Sequence, residues 1–416
     1  MTKKLLMANE AFAHAALEAG VRVVAGYPGT PSSELVETVA KLQAEGRAHG
    51  VHVEWSTNEK AALELLAGAS YAGARCLFTC KQVGLNVASD ALMSLNYVGV
   101  KGGLVLYVAD DPGPISSQTE QDTRRFGDFA KVPMLDPTTP EEGFAMIKEA
   151  FDLSERHGTP VIVRPTTRIC HASTFFDVAD ETFACPLPKE GFVKDPKWVI
   201  FPRRAWEGHG EINARLNRMG DEFCEGELSR FNTVVEVAPG GLFDQAAVLS
   251  GAEFIAAKDA EESFDDVLEW EGQQRSDAEV ADAPCVGIVA GGVSAAYARE
   301  ALRMLEGLQQ DAGRALPAYR FLQVGTPFPF PEKLARTFLR GLKTVLVLEE
   351  LDNVLEDGLV RAAGHAHLRC NVFGRSSGAL RDRGENTVDD IASTVANFFT
   401  SFVNADIARP LIEPSV

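Results

Sequence analysis

The sequence predicts an α/β protein: a doubly wound parallel sheet followed by a second, smaller α/β domain. Three observations carry this expectation. Short apolar runs alternate with segments of helical period through the first 170 residues, the pattern of repeated βα units. One run, Leu104–Ala109 (LVLYVA), is apolar throughout, as in a strand covered on both faces. The rhythm stops near residue 176 and returns from Pro284.

The elements follow in order. Val21–Ala25 reads as a strand, a turn containing two glycines and two prolines follows, and a helix runs from Pro31 to Glu45. Val51–Trp55 is the next strand, and Asn58–Ala72 a helix rich in Ala and Gly, which lets a neighbour pack closely. Cys76–Cys80 is a strand, Asn86–Asn96 a helix, and Leu104–Ala109 the fourth strand. Pro140–His157 is helical and Pro160–Arg164 is the last strand of this domain. In such sheets ligands gather outside the carboxyl ends of the strands.

Residues 176–282 read as a connection between domains 1–175 and 283–404. Lys189–Arg204, rich in Pro, Lys and Trp, is expected to be extended, and Asn213–Phe223 to be one helix. Gly251–Asp282 carries eleven acidic residues against Lys258 and Arg275; a helical, solvated or mobile segment is expected, with a site for a basic partner as the alternative. Strands then fall at Cys285–Ala290, Arg320–Val324, Thr344–Leu348 and Leu368–Phe373, and helices at Ser294–Leu308, Pro331–Arg340, Leu355–Ala363 and Thr387–Val403.

Composition narrows the function. Of 416 residues, 40 are Lys or Arg and 59 Asp or Glu, a formal charge of −19. That disfavours nucleic acid and anionic membrane surfaces as partners. No apolar run approaches the roughly 20 residues of a membrane span. The segment Met1–Met7 meets Asn9 and Glu10 at once, unlike a signal peptide. Seven cysteines without a CxxC pair point to a reducing, cytoplasmic compartment. Neither a GxxxxGK[ST] loop nor GxGxxG or HExxH occurs, which disfavours several common enzyme classes.

Three loops at one sheet edge carry the candidate chemistry. In Gly26–Glu34 (GYPGTPSSE), Thr30 fits a helix N-cap and Pro31 the first helical position. The free N–H groups there, with the Thr30, Ser32 and Ser33 hydroxyls, suit a carboxylate; ordinary capping is the alternative. Glu59, in a helix first turn, is either a site residue or a dipole partner. The polar loop Asp110–Arg125 offers Arg124 or Arg125 as a planar clamp for a carboxylate, or is merely solvated. Cys76 and Cys80 read as core residues, and His365 and His367 as surface residues.

Together these segments resemble the indolepyruvate:ferredoxin oxidoreductase alpha subunit, within the 2-oxoacid:ferredoxin oxidoreductases. The likeness rests on Ala25–Glu34 (AGYPGTPSSE), Val53–Lys60, Gly68–Arg75, Val83–Asp90, Ala109–Gly113 and Ser116–Asp122, then on Gly287–Ser294 and Val347–Asp352. It is close over residues 5–175 and moderate over 284–360.

The resemblance implies a thiamine-diphosphate pyrimidine-binding domain followed by a transketolase-C-like domain. It implies that Glu59, shielded from water, meets N1′ of the aminopyrimidine and favours the tautomer that deprotonates the thiazolium. Tyr27, Pro28 and Asn86 would also meet the cofactor. Thr30 would meet the 2-oxoacid carboxylate, and Gln118, Arg124 and Arg125 would line the substrate pocket. A GDG-type diphosphate and magnesium site and the cysteines of 4Fe–4S clusters are not found in the sequence. They are expected on a partner subunit, with a small beta- or gamma-type subunit and ferredoxin as further partners. The implied reaction is oxidative decarboxylation of an indolepyruvate or similar aryl 2-oxoacid to an acyl-CoA. The alternative is a non-catalytic assembly or binding subunit that retains the fold.

Overall fold

The computed structural model describes residues 1–270, 286–403 and 405–408. They form two compact units, Met1–Met219 and Gly220–Val416. In chain order the first contains β1 (Thr2–Met7), α1 (Ala8–Glu18), β2 (Val23–Gly26), α2 (Ser33–Ala44), β3 (Ala48–His49), β4 (His52–Trp55), α3 (Glu59–Tyr71), β5 (Cys76–Lys81), α4 (Gln82–Val98) and β6 (Leu104–Ala109). There follow α5 (Arg124–Ala130), β7 (Met134–Leu135), α6 (Pro140–His157), β8 (Val161–Val163), α7 (Thr167–His171), β9 (Ser173–Val178), β10 (Thr182–Phe183) and the start of α8 (Pro202–Glu225).

The main sheet has the order β4-β2-β5-β6-β8-β7, and its strands are parallel. Every residue of β6 is buried, which accounts for its unbroken apolar run. Cys76 and Cys80 are core residues, as their alternation with apolar neighbours predicts. Glycine is required where β2 ends: a Cβ on Gly26 would stand 2.3 Å from Thr79 Oγ1 and 2.4 Å from the Thr79 carbonyl. Helix α6 occupies the predicted span, begun by Thr139, whose Oγ1 accepts the Glu142 N–H, and by Pro140, and ended at Gly158 with φ 59°.

Helix α1 was not anticipated. It buries Ala on every side together with Asn9, Phe12, His14 and Leu17, so it lacks the polar face that reveals a helix in sequence. β1 pairs antiparallel with β9 in a separate ribbon.

The second unit differs from expectation at its beginning. Residues read as a connection supply β11 (Asn232–Val237) and β12 (Val248–Ser250), and then α9 (Gly251–Trp270). After these come β13 (Val286–Gly291), α10 (Val293–Asp311), β14 (Tyr319–Val324), α11 (Glu332–Leu339), β15 (Thr344–Leu348), α12 (Val354–His365), β16 (Asn371–Phe373) and α13 (Val388–Val403). The sheet order is β12-β11-β14-β13-β15-β16, with β11 antiparallel to both neighbours. An antiparallel strand joined to the sheet without a βα crossover breaks the rhythm on which the sequence reading relied. The acidic run is helical to Trp270; residues 271–282 of it lie outside the described residues, as does Cys285.

Alternate residues of the second sheet fall in two cores. Val235, Ile288, Phe321 and Leu346 pack on one face, and Val234, Val289, Leu322 and Val347 on the other. In the Val347–Asp352 motif, Glu349 caps α12, accepting N–H bonds from Val354 (3.1 Å), Leu355 (2.9 Å) and Glu356 (3.0 Å).

His14 of α1 is 4% exposed. Burial, then the charges of Lys4 and Arg47, lowers its pKa from 6.5 to about 4. Because the charged form is disfavoured in the fold, stability is complete above pH 6.5 and falls as pH drops toward 4. The linked loss is on the order of 3 kcal/mol. Urea midpoints measured from pH 7 to 4 should therefore fall less steeply for His14→Gln than for the parent; identical slopes would contradict this.

Candidate functional site

Parallel pairing brings four chain reversals to one edge. Gly26 stands beside Trp55 and Thr79, and Lys81 beside Ala109. The turn 27–32, the start of α3, the start of α4 and the loop 110–123 therefore share the carboxyl edge of the sheet.

The first turn closes on itself. The Gly29 carbonyl accepts the Ser32 N–H and hydroxyl, each at 2.8 Å, and the Gly29 N–H donates to Ser33 Oγ at 2.8 Å. This turn delays the helix: Ser32, not Thr30, is the N-cap of α2, and Pro31 precedes it. The Thr30–Pro31 peptide is cis. Thr30, Tyr27 and Pro28 are exposed, whereas Pro31 and Ser32 are buried.

Two residues that sequence reasoning missed hold this turn from below. Asn9 donates to the Pro31 carbonyl at 2.7 Å and to Glu34 Oε2 at 2.8 Å. Its own carbonyl accepts the Tyr107 hydroxyl, which also lies 3.1 Å from Cys170 Sγ. Asn9 and Tyr107 are fully buried. The available signal was a polar group inside each of two apolar stretches, since buried polar groups need partners.

Glu59 is the first residue of α3, which Asn58 caps by accepting the Ala61 N–H at 2.9 Å. Glu59 is 8% exposed. Its carboxylate forms no hydrogen bond or ion pair with any described residue. Gly84, in the first turn of α4, makes room for it: a Cβ there would stand 2.5 Å from Glu59 Oε1 and 2.9 Å from its Cγ. Beneath it, burial raises the Cys80 thiol well above its usual pKa, and Glu59 adds to that, so this thiol is inert.

The loop 110–123 docks on the start of α4. Gln82 Nε2 donates to the Thr119 carbonyl at 3.0 Å. Asn86 and Gln121 exchange amide bonds of 2.9 and 3.0 Å, so the Asn86 amide is already engaged. Gln118 is exposed at the loop tip. Asp111 folds the loop by accepting the N–H groups of Ser116 (2.9 Å) and Ser117 (2.8 Å).

Arg124 is not at the surface. It is 2% exposed and chelates Asp122, with Nε–Oδ1 at 3.0 Å and Nη2–Oδ2 at 2.6 Å. Arg164 bonds Asp110 at 2.6 Å and lies 3.4 Å from Asp136 and 3.8 Å from Asp122. Asp110 also accepts the N–H (2.9 Å) and hydroxyl of Thr123, tying the loop's two ends together. Arg124 thus anchors the loop and is unavailable as a substrate clamp; Arg125 is half-buried and has a partner within the chain. Burial opposes ionisation of Asp122, but Arg124 and Arg164 outweigh it and hold its pKa at about 2. Burial instead raises Asp110 and Asp136, against Arg164.

Asp122→Asn should cost roughly 3–5 kcal/mol, because two guanidiniums lose a buried counter-charge. The depressed Asp122 pKa contributes stability that is present above the unfolded value of about 3.9 and is lost as pH falls through about 2. The variant should therefore lack that part of the acid limb, and limited proteolysis should cut 112–121 sooner. Unchanged stability and cleavage would remove the loop-anchoring role.

A cavity of about 250 Å³ in the second unit, lined by Leu346, Phe373, Phe398 and Phe402 among others, has no titratable lining residue and offers no comparable chemistry. Among the described residues no group of three or more His, Cys, Asp or Glu is arranged to hold a metal ion. No helix among them is long and apolar enough to cross a membrane.

Residues 14–183 match the family described as "Pyruvate flavodoxin/ferredoxin oxidoreductase, thiamine diP-bdg". The indolepyruvate oxidoreductase subunit IorA of Methanothermobacter thermautotrophicus is 35% identical over 396 residues, covering 95% of this chain and 54% of the relative. The corresponding subunit of Thermococcus kodakarensis is 38% identical over 375 residues, covering 89% and 49%. The chain thus spans about half the length of the curated relatives it matches. Two solved structures share the fold. One is 2-oxoglutarate:ferredoxin oxidoreductase from Magnetococcus marinus, with a TM-score of 0.65, 14% identity, and coverage of 95% of this chain and 65% of that one. The other is a split-gene transketolase, with a TM-score of 0.54, 16% identity, and coverage of 94% and 98%.

Proposed function

We propose, from the match of residues 14–183 to the pyruvate flavodoxin/ferredoxin oxidoreductase family and the likeness to indolepyruvate oxidoreductase subunits, that this chain belongs to that family and provides the pyrimidine side of a thiamine-diphosphate site. The enzyme would oxidatively decarboxylate an indolepyruvate-type 2-oxoacid to an acyl-CoA and pass electrons to ferredoxin. One observation carries this reading: Glu59 is buried, yet unpartnered among the described residues. A buried carboxylate normally has a partner, and the ring nitrogen N1′ of an aminopyrimidine is one of matching chemistry. Gly84 lets the carboxylate lie close against the first turn of α4.

Thiamine diphosphate, when bound, supplies the electron sink for decarboxylation. In this proposal Glu59 holds a proton at N1′, with burial keeping water from competing. Thr30 donates its hydroxyl to the 2-oxoacid carboxylate. Tyr27 and Pro28 border the cofactor at the same turn, while Asn86, occupied with Gln121, acts through the loop. Gln118 at the loop tip faces the substrate, and Arg125 supports that loop.

The magnesium, the diphosphate and the iron–sulfur clusters belong in this proposal to a partner subunit, corresponding to the half of the relatives that this chain does not match. Tyr27, Trp55, Val87 and Ile115 are exposed on the elements around this edge; a partner covering them would also seal Glu59 from solvent. A cytoplasmic setting fits such an enzyme.

In the complex with its partner, Glu59→Gln keeps shape but cannot supply the acid. General acid–base contributions run to about 10²–10⁴ in rate, so kcat should fall at least about a hundredfold with the urea midpoint nearly unchanged. Exchange of the thiazolium C2 proton, followed by NMR, should slow in step. Near-normal exchange and turnover would leave Glu59 as a helix-dipole partner and favour a non-catalytic subunit.

Thr30→Ala should raise KM for the 2-oxoacid, since a hydrogen bond to a charged group contributes roughly 1.5–3 kcal/mol. A change in thermal stability alone would assign Thr30 to the turn.

A further inference from the structure

We propose that Lys81 is a substrate-binding residue whose ammonium pairs with the carboxylate of the 2-oxoacid. This deepens the reading of the site given above and rests on it.

Lys81 is the last residue of β5, next in the sheet to the strand that leads into the Thr30 turn. Its half-buried stem lies across the Thr30 turn: a Cβ on Gly29 would meet Lys81 Cγ and Cδ at 3.1 Å and Cε at 3.4 Å. Three residues on, Gly84 packs against Glu59. One lysine therefore touches the Thr30 turn and opens the helix whose first turn borders the Glu59 carboxylate.

Its charge is unspent. The cations on the site elements described above are Lys60, Lys81, Arg124, Arg125 and Arg164, and Arg164 pairs with Asp110 at 2.6 Å. Lys60 pairs with Asp90 at 2.8 Å, Arg124 with Asp122, and Arg125 has a partner within the chain. Of these cations, Lys81 forms no side-chain hydrogen bond or ion pair with any described residue. Arg124, the expected clamp, is consumed in the interior, so the substrate anion needs another cation.

A structural role does not account for lysine here. Lys81 is the N-cap of α4 and makes no side-chain capping bond. Helix N-caps favour Ser, Thr, Asp and Asn, and the helix dipole disfavours a cation there. A bound anion reverses that balance, because the ammonium and the free N–H groups of the first turn then act together on one negative charge.

The test uses the complex with its partner, comparing parent, Lys81→Met and Lys81→Arg with indolepyruvate and its methyl ester. For Lys81→Met, KM for indolepyruvate should rise at least about tenfold. The preference for acid over ester should shrink by a similar factor. Exchange of the thiazolium C2 proton, a substrate-free measure, should be retained. Lys81→Arg should recover part of the acid preference.

An unchanged acid-to-ester preference in a folded Lys81→Met complex would overturn the proposal. So would C2 exchange falling as far as turnover, which would put Lys81 on the cofactor instead. If Glu59→Gln abolishes exchange while Lys81→Met leaves KM alone, only the Lys81 assignment fails. If Glu59→Gln leaves exchange intact, or the parent turns over no 2-oxoacid, the underlying reading fails and this one with it.

Discussion

Burying the Glu59 carboxylate without a partner among the described residues carries a free-energy cost that the rest of the first unit offsets. A buried polar group without a hydrogen-bond partner carries a desolvation penalty. Several features limit that cost without satisfying the group. Glu59 begins α3, so the helix dipole favours its charge, and the Asn58 cap fixes where the helix starts. Gly84 leaves room that any side chain would fill. Cys80 lies below as a neutral thiol. The carboxylate is thus held in place and left chemically open, as preorganised sites require.

Asp122 shows the opposite treatment of the same chemical group. It too is buried, but Arg124 and Arg164 surround it, and it serves to close the base of the loop 110–123. Three carboxylates meet two guanidiniums there, and burial raises the pKa of Asp110 and Asp136 against the pull of Arg164. Burial alone therefore does not identify a functional acid. What separates Glu59 from Asp122 is the absence of a described partner.

The repeating parallel architecture was legible because strands covered on both faces give unbroken apolar runs, and α6 carries its own start and stop signals. The positions of Glu59, the Thr30 turn and the long loop at one edge also followed, because parallel strands put all their carboxyl ends together. Helix α1 was hidden by its lack of a polar face. β11 and β12 were hidden because antiparallel strands at a sheet's edge do not continue the βα rhythm. Arg124 was misplaced because sequence cannot distinguish a guanidinium at a loop's end from one turned inward toward an acid two residues before it. Asn9, Tyr107 and Lys81 have roles only in three dimensions: each meets residues far from it in the chain.

The chain's charge appears at first to oppose its proposed substrate, since a net −19 should repel a 2-oxoacid. About half of that charge lies in Gly251–Asp282. At physiological ionic strength charges beyond about 8 Å are largely screened, so capture of an anion depends on the nearest groups. At the carboxyl edge of the first sheet these are the starts of α3 and α4, the Thr30 hydroxyl and the Lys81 ammonium. Glu59 does not cancel them. It is directed in this reading to the cofactor ring, while Lys81 lies along Gly29 on the side of the substrate turn. Opposite charges can then serve two neighbouring tasks, because the two side chains do not pair with each other.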